Sequence, residues 1–174
     1  MRSARPQDQR ADAGAWLDGR YHDDLPPEAE RAIRAAGLFW DDEARAEALL
    51  AEAARHAPGH LAVLIARYRH AFYKHRFEAA FAMAGDVLAA AARRLNIPTD
   101  WREVGASDAP FASDDAHVRF WMFVLQAYGY VLLRLGHEAE GEAVLRRLGE
   151  LDVRDQTRTR TLLQVMAARR QAED

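Results

Sequence analysis

Residues 67 to 77 read RYRHAFYKHRF and concentrate the side chains best suited to binding an anion. The stretch has four Arg or Lys residues, two histidines, four aromatic residues and no acidic residue. Arginine and lysine bind carboxylates through charge-assisted hydrogen bonds, and aromatic rings add apolar contact area. This composition predicts binding of an acidic ligand. A solvated helix face whose arginines pair with the DDEARAE segment or with an acidic loop is the alternative.

The sequence carries no motif for a catalytic, nucleotide-binding or metal-binding site. There is no cysteine, which excludes disulfides and thiolate metal sites, and there is no P-loop, G-x-G-x-x-G or G-x-S-x-G sequence. His56 and His60 are separated by a proline and a glycine that break the helical face, and His70 and His75 point apart on one helix. We therefore predict no catalytic residues, no metal and no cofactor. An enzyme whose site is assembled only by folding remains an alternative.

The bulk composition is that of a single folded domain. The chain has 174 residues and a formal net charge of −3, so any attraction for nucleic acid or an anionic membrane must be local. It has no apolar run of the ~20 residues that a membrane span needs and no secretory signal. Only Lys74 is lysine, and the Ala- and Arg-rich composition suggests a bacterial origin. We expect a soluble cytoplasmic protein.

From Glu28 onward almost the whole sequence pattern is helical. Apolar residues recur at spacings of three and four, and breaks fall at APGH (57–60), NIPTD (96–100) and Gly136. Residues 97 to 116 read as an insertion loop, and a last helix is predicted at about 156 to 172. Residues 1 to 26 are polar, so we predict a flexible or loosely docked arm. Its Trp16, Leu17 and Tyr21 are expected to pack onto the body, and a short docking motif is the alternative.

The helical segments also repeat along the chain. A first triplet of small or apolar residues recurs with a 34-residue period, and a third copy keeps the same internal spacing of four and three. The gap before the third copy is longer because the insertion loop and an extended helix precede it. The three triplets are Ala46, Leu50 and Ala53; Ala80, Ala84 and Val87; and Gly141, Leu145 and Leu148.

This chain resembles the tetratricopeptide-repeat (TPR) family, whose unit is a 34-residue helix–turn–helix. The third copy matches best, with Leu125, Tyr128, Gly129 and Leu132 at signature positions of the first helix and Gly141 at the small position of the second. The resemblance covers about residues 28 to 155. It implies an all-α, right-handed α-solenoid of three helical hairpins, closed by a C-terminal capping helix within a repeat domain of residues 27 to 174.

The resemblance also implies a binding surface, because the first helices of TPR units line a concave groove. It places Tyr68 and Phe72 on the packing face. The implied function is a non-catalytic protein–protein interaction module, such as a bacterial adaptor or chaperone-like protein, that holds an acidic or carboxylate-bearing partner segment. A helical repeat that binds nucleic acid is an alternative. The positions carried over to the groove are Arg31, Arg67, His70, Tyr73, Lys74, Gln126, Tyr130 and Arg134.

Residues 118 to 135 are apolar nearly all round, so we predict a central or covered helix. Its groove-side Phe123 and Tyr130 require cover from the 97–116 insertion, from a second copy of the chain in a homodimer, or from a ligand. The insertion carries five acidic residues and one arginine. We therefore expect it to lie as a lid near the basic groove.

Overall fold

The computed structural model describes residues 24 to 173, and the arm residues Trp16, Leu17 and Tyr21 lie outside that range. The described part contains seven α-helices and no strand, which confirms the all-α prediction. None of these helices is long and apolar enough to cross a membrane. The helices are α1 (Pro27–Leu38), α2 (Glu43–His56), α3 (Leu61–Tyr73), α4 (Phe77–Leu95), α5 (Ala116–Arg134), α6 (Glu138–Leu151) and α7 (Thr159–Glu173).

The helix starts follow the sequence repeat. Helix α4 begins after α2 at the same offset that separates the first two triplets. The residue before each of the helices α2, α4 and α6 has a similar backbone conformation: φ −92° and ψ 87° at Asp42, φ −90° and ψ 74° at Arg76, and φ −83° and ψ 59° at His137. The same local turn therefore starts the second helix of each repeated segment.

The chain divides into two compact units, of which the first ends at Arg67 and the second begins at Tyr68. The division falls within α3, whereas the sequence was interpreted as one repeat domain. In the first unit α1 packs against α2. Its core consists mostly of alanine, and small side chains let the helices lie close together. The buried residues of this core are Leu25, Ala29, Ala32, Ala53, Ala57, Ala62 and Val63.

In the second unit each helix packs against the next along the chain, α4 on α5, α5 on α6 and α6 on α7. Helix α5 is central, as predicted, with Trp121, Met122 and Leu125 at most 1% exposed. Helices α5 and α6 approach most closely at two buried glycines. A Cβ on Gly141 would lie 2.9 Å from the Gly129 carbonyl oxygen, so only glycine fits this crossing.

The predicted insertion is a packed loop of residues 96 to 115. Four apolar side chains anchor it: Ile97, Trp101, Val104 and Phe111 are all buried. The Phe111 ring lies 5.7 Å from that of Trp121 on α5, and Arg102 pairs with Glu140 on α6 at 3.0 Å. Asp115 then caps α5 by accepting hydrogen bonds from the His117 and Val118 amides. The loop thus completes the core of the second unit.

Candidate functional site

An aromatic cluster in the second unit joins the end of α3 to the C-terminal half of α5. Phe72 lies at its centre, with its ring centroid 5.5 Å from Tyr73, 6.0 Å from Phe77 and 6.1 Å from Tyr130. Tilted and edge-on rings at these distances attract each other beyond the area that they bury. The cluster therefore fixes Tyr73 and Tyr130 relative to each other although they lie on different helices.

Arg134 completes this cluster on its exposed side. Its guanidinium carbon lies 4.5 Å from the centroid of the Phe77 ring, and its Nη1 atom donates to the Tyr130 hydroxyl at 3.4 Å. The residue is exposed and lies in the last turn of α5, where the helix dipole favours a cation. Phe72, Tyr73, Phe77, Tyr130 and Arg134 are called the Arg134 cluster below.

Within the described part of the chain, Arg134 of the cluster has no acidic partner. Among the side chains that the structure describes, no carboxylate lies within ion-pair distance of Arg134, nor of Arg67 or Arg69. Several other arginines are paired: Arg34 contacts Glu30 at 2.6 Å, and Arg154 contacts Asp114 at 3.2 Å. The alternative of a self-neutralised helix face concerned the stretch 67 to 77, and it stays open there, because Lys74 and Arg76 of that stretch have interactions of their own.

The prediction that His70 faces an open groove is wrong. Its side chain is 2% exposed, and its Nδ1 atom lies 3.0 Å from Nη2 of Arg76. Because a guanidinium can only donate, Nδ1 accepts and the ring proton is assigned to Nε2. Ala71, next to His70, is completely buried, so this part of α3 is covered on that side. His70 therefore contributes to the core and orders the turn before α4.

The prediction that Gln126 lines the groove is also wrong. Its side-chain amide donates to the Thr157 carbonyl at 2.8 Å and to the Thr159 hydroxyl at 3.1 Å. The buried Asp152 carboxylate accepts three further hydrogen bonds from this segment, from the Gln156 amide and from the amide and hydroxyl of Thr157. Gln126 thus belongs to a buried polar network at the start of α7.

The other predicted groove positions are spread over both units. Arg31 lies in the first unit, where it is exposed and pairs with Glu28 at 3.2 Å. Arg67 is half-buried at the end of that unit, and Lys74 is half-buried in the turn that follows α3 rather than on the helix. The structure brings together Tyr73, Tyr130 and Arg134 of the predicted set.

Sequence reasoning missed Phe77 as part of the site. Its ring supports Arg134, which lies at the end of the next helix, α5, and no spacing rule joins positions that far apart in the sequence. Phe72 was assigned to packing, and it does pack against the core, as does Tyr68. The centroids of these two rings lie 5.7 Å apart.

Burial raises the pKa of the Tyr68 hydroxyl, with the neighbouring Tyr73 and Tyr130 adding to the effect.

Two further predictions concern the insertion and metal binding. Arg134 is exposed, so the loop of residues 96 to 115 does not cover it.

Among the described residues, no three His, Asp or Glu side chains lie close enough together to hold a metal ion. His56 lies 3.9 Å from Glu52, and His60 accepts a hydrogen bond from the Ala62 amide through Nδ1.

Comparison with known proteins gives one informative relative. The chain is 35% identical over 149 residues to an uncharacterized 19.8 kDa protein in the nifW 5′ region of Azotobacter chroococcum mcd 1. The aligned region covers 84% of this chain and 82% of that protein. The chain belongs to the family of that protein. No family model and no solved structure matches this chain.

Proposed function

We propose that this chain is a non-catalytic interaction module that binds an acidic or carboxylate-bearing segment of a partner protein at the Arg134 cluster. The observation that carries the proposal is the exposed Arg134 guanidinium, which lies over Phe77 and against the Tyr130 hydroxyl without a carboxylate partner among the described side chains. A fixed, planar cation with free donors is suited to carboxylate binding.

The arrangement of helices supports the same proposal. The repeated offset between α2 and α4 and the Gly129–Gly141 crossing fit a TPR-like stack of hairpins. In such a stack the first helix of a hairpin lines the concave surface, and in the second unit that helix is α5, with the end of α3 packed beside it and α7 as the cap. Tyr73 on α3 and Tyr130 and Arg134 on α5 then lie on the groove side.

The aromatic rings around Arg134 should make it bind a carboxylate more tightly than an isolated surface arginine would. An exposed ion pair contributes only ~0–1 kcal/mol, because water screens it and two flexible side chains must be ordered. The Arg134 side chain is already ordered by the Phe77 ring and the Tyr130 hydroxyl, so less entropy is lost when a carboxylate binds. We expect peptides that combine acids with an apolar side chain to bind better than peptides with acids alone.

The test is a fluorescence anisotropy titration with labelled peptides. Wild-type protein is expected to bind a peptide rich in Asp, Glu and Leu at least tenfold more tightly than the same peptide with Asn and Gln in place of its acids. Arg134→Glu should remove this preference and leave the melting temperature nearly unchanged, because the side chain is exposed. Arg158→Glu, which reverses another exposed arginine, is the matched control and should bind as wild type does.

Two competing functions are separated by the same assay. Tighter binding of a single-stranded oligonucleotide than of any acidic peptide, lost on Arg134→Glu, would replace the proposal with nucleic-acid binding. An acidic-peptide affinity that is equal in wild type and Arg134→Glu would refute the site. The relative is described by its place in the nifW 5′ region, so the product of nifW is the first natural partner to test in this assay.

A further inference from the structure

The turn between α1 and α2 carries an apolar side chain that the proposed function does not use. Leu38 is 84% exposed, the highest value among the exposed large apolar residues of the described chain. Phe39 and Trp40 follow it and are only partly buried. Single exposed leucines are common on protein surfaces, but three consecutive large apolar residues are unusual in a turn, where Gly, Pro, Asn, Asp and Ser dominate.

The turn is ordered. The Phe39 amide donates to the Ala35 carbonyl at 3.1 Å, and the Asp42 amide donates to the Phe39 carbonyl at 3.0 Å. Asp42 in turn caps α2 by accepting from the Arg45 amide, and the Arg45 guanidinium lies 3.4 Å from the centroid of the Phe39 ring. A turn held at this many points presents Leu38 in one place, so binding a partner there loses little conformational entropy.

Acidic groups outnumber basic ones around the Leu38 turn, where the Arg45 guanidinium on the Phe39 ring is the cation that the structure describes. Asp41 and Asp42 are exposed beside it, and α1 ends at Leu38 with no basic residue in its last turn. The carbonyl end of a helix carries a partial negative charge, which a basic side chain in the last turn would offset. An apolar anchor inside a charged rim is the usual arrangement of an interaction hot spot.

We propose that the Leu38 turn, residues 37 to 42, is a second protein-docking surface, which inserts Leu38 into an apolar pocket whose rim is basic. Charge complementarity selects the partner: Asp41, Asp42 and the end of α1 repel acidic surfaces and attract arginine or lysine. The partner chemistry is therefore the opposite of that proposed for the Arg134 cluster. Together the two surfaces would let one chain hold two different proteins.

The test uses a displayed library of random peptides selected on the full-length protein, with the enriched peptides synthesised and titrated. We expect one enriched family that combines aromatic or aliphatic residues with Arg or Lys. Its affinity should fall at least tenfold for Leu38→Ser, and should fall for Asp41→Lys. Val153→Ser removes another exposed apolar side chain, 59% exposed, and should bind as wild type does. Leu38 and Asp41 are both exposed, so these variants should fold.

Three outcomes would overturn the proposal. The first is that no enriched family depends on Leu38. The second is that the dependent family carries no excess of Arg and Lys, or binds Asp41→Lys as well as wild type. The third is Leu38-dependent binding to phosphatidylcholine vesicles, or Leu38-dependent self-association in sedimentation, which would assign the turn to a membrane surface or to a second copy. None of these results bears on Arg134, so the two proposals fail independently.

Discussion

At the scale of the residue, the Arg134 cluster contains groups of two kinds. Arg134 is exposed and can meet a ligand, whereas Phe72 packs, together with its neighbour Tyr68 outside the cluster, against the core beneath. Because Phe72 is only partly buried, truncating it to alanine should lower stability by less than the ~3–5 kcal/mol that is typical of fully buried aromatic residues. Reversing Arg134 should change binding and leave stability nearly intact.

Tyr68 gives a prediction in the alkaline range. Burial raises the pKa of its hydroxyl above the ordinary value of 10.0, so the folded state keeps a proton that the unfolded state loses. The stability that the protonated Tyr68 hydroxyl contributes is complete below pH 10. As the pH rises above 10, the free energy of unfolding falls by up to ~1.4 kcal/mol per pH unit. Tyr68→Phe should therefore lose less stability than wild type between pH 10 and 11. Urea unfolding at a series of pH values measures this, and parallel curves for the two proteins would show that Tyr68 is not responsible.

At the scale of the element, two glycines decide how closely α5 and α6 approach. An alanine Cβ at position 141 would lie 2.8 Å from Leu133 Cδ2 and 2.9 Å from the Gly129 carbonyl oxygen. We expect Gly141→Ala to lower the free energy of unfolding by ~1–3 kcal/mol, because the helices must separate.

Gly37 in α1 is the matched control, since a Cβ there meets nothing within 4 Å. Gly37→Ala should be neutral or stabilising by up to ~1 kcal/mol, in line with helix propensity. Equal melting temperatures for Gly141→Ala and wild type would show that α5 and α6 leave room for a Cβ atom at position 141.

The buried polar network around Asp152 holds the start of α7. The Asp152 carboxylate accepts from the Gln156 and Thr157 amides and from the Thr157 hydroxyl, at 2.8 to 2.9 Å. Asp152→Ala leaves these buried donors without an acceptor, which typically lowers stability by ~1–3 kcal/mol. Hydrogen exchange should show faster exchange in α7 and little change in α4. Uniform change over all helices would mean that the network supports the whole unit rather than α7.

The elements show what the sequence alone can predict and where it stops. The 34-residue period of the first two triplets reappears as the offset between the starts of α2 and α4, because helix periodicity is a local pattern. The prediction failed where a side chain meets a distant segment. Gln126 bonds to Thr157 and Thr159, which lie beyond the whole of α6, and periodicity carries no information about such contacts.

At the scale of the whole molecule, the charge balance limits what can bind. The chain carries a formal net charge of −3, so an acidic ligand is attracted only where basic side chains are locally in excess, as at Arg134. Affinity for an acidic peptide should therefore fall only modestly between 50 and 200 mM salt, since few ions are released. A nucleic-acid site with 6–10 phosphate contacts would lose ~10³–10⁵ in affinity over the same range. Titrations at several salt concentrations measure the slope, and a steep slope would favour the nucleic-acid alternative.

The central claim is that a carboxylate binds at the exposed guanidinium of Arg134, and NMR can locate it directly. In a titration of isotope-labelled wild-type protein with the acidic, leucine-containing peptide, the Arg134 side-chain Nε–Hε resonance and the Tyr130 ring resonances should shift together with one affinity. The Arg158 side-chain resonance should stay in place. Binding of the peptide with shifts confined to residues outside the Arg134 cluster would contradict the account.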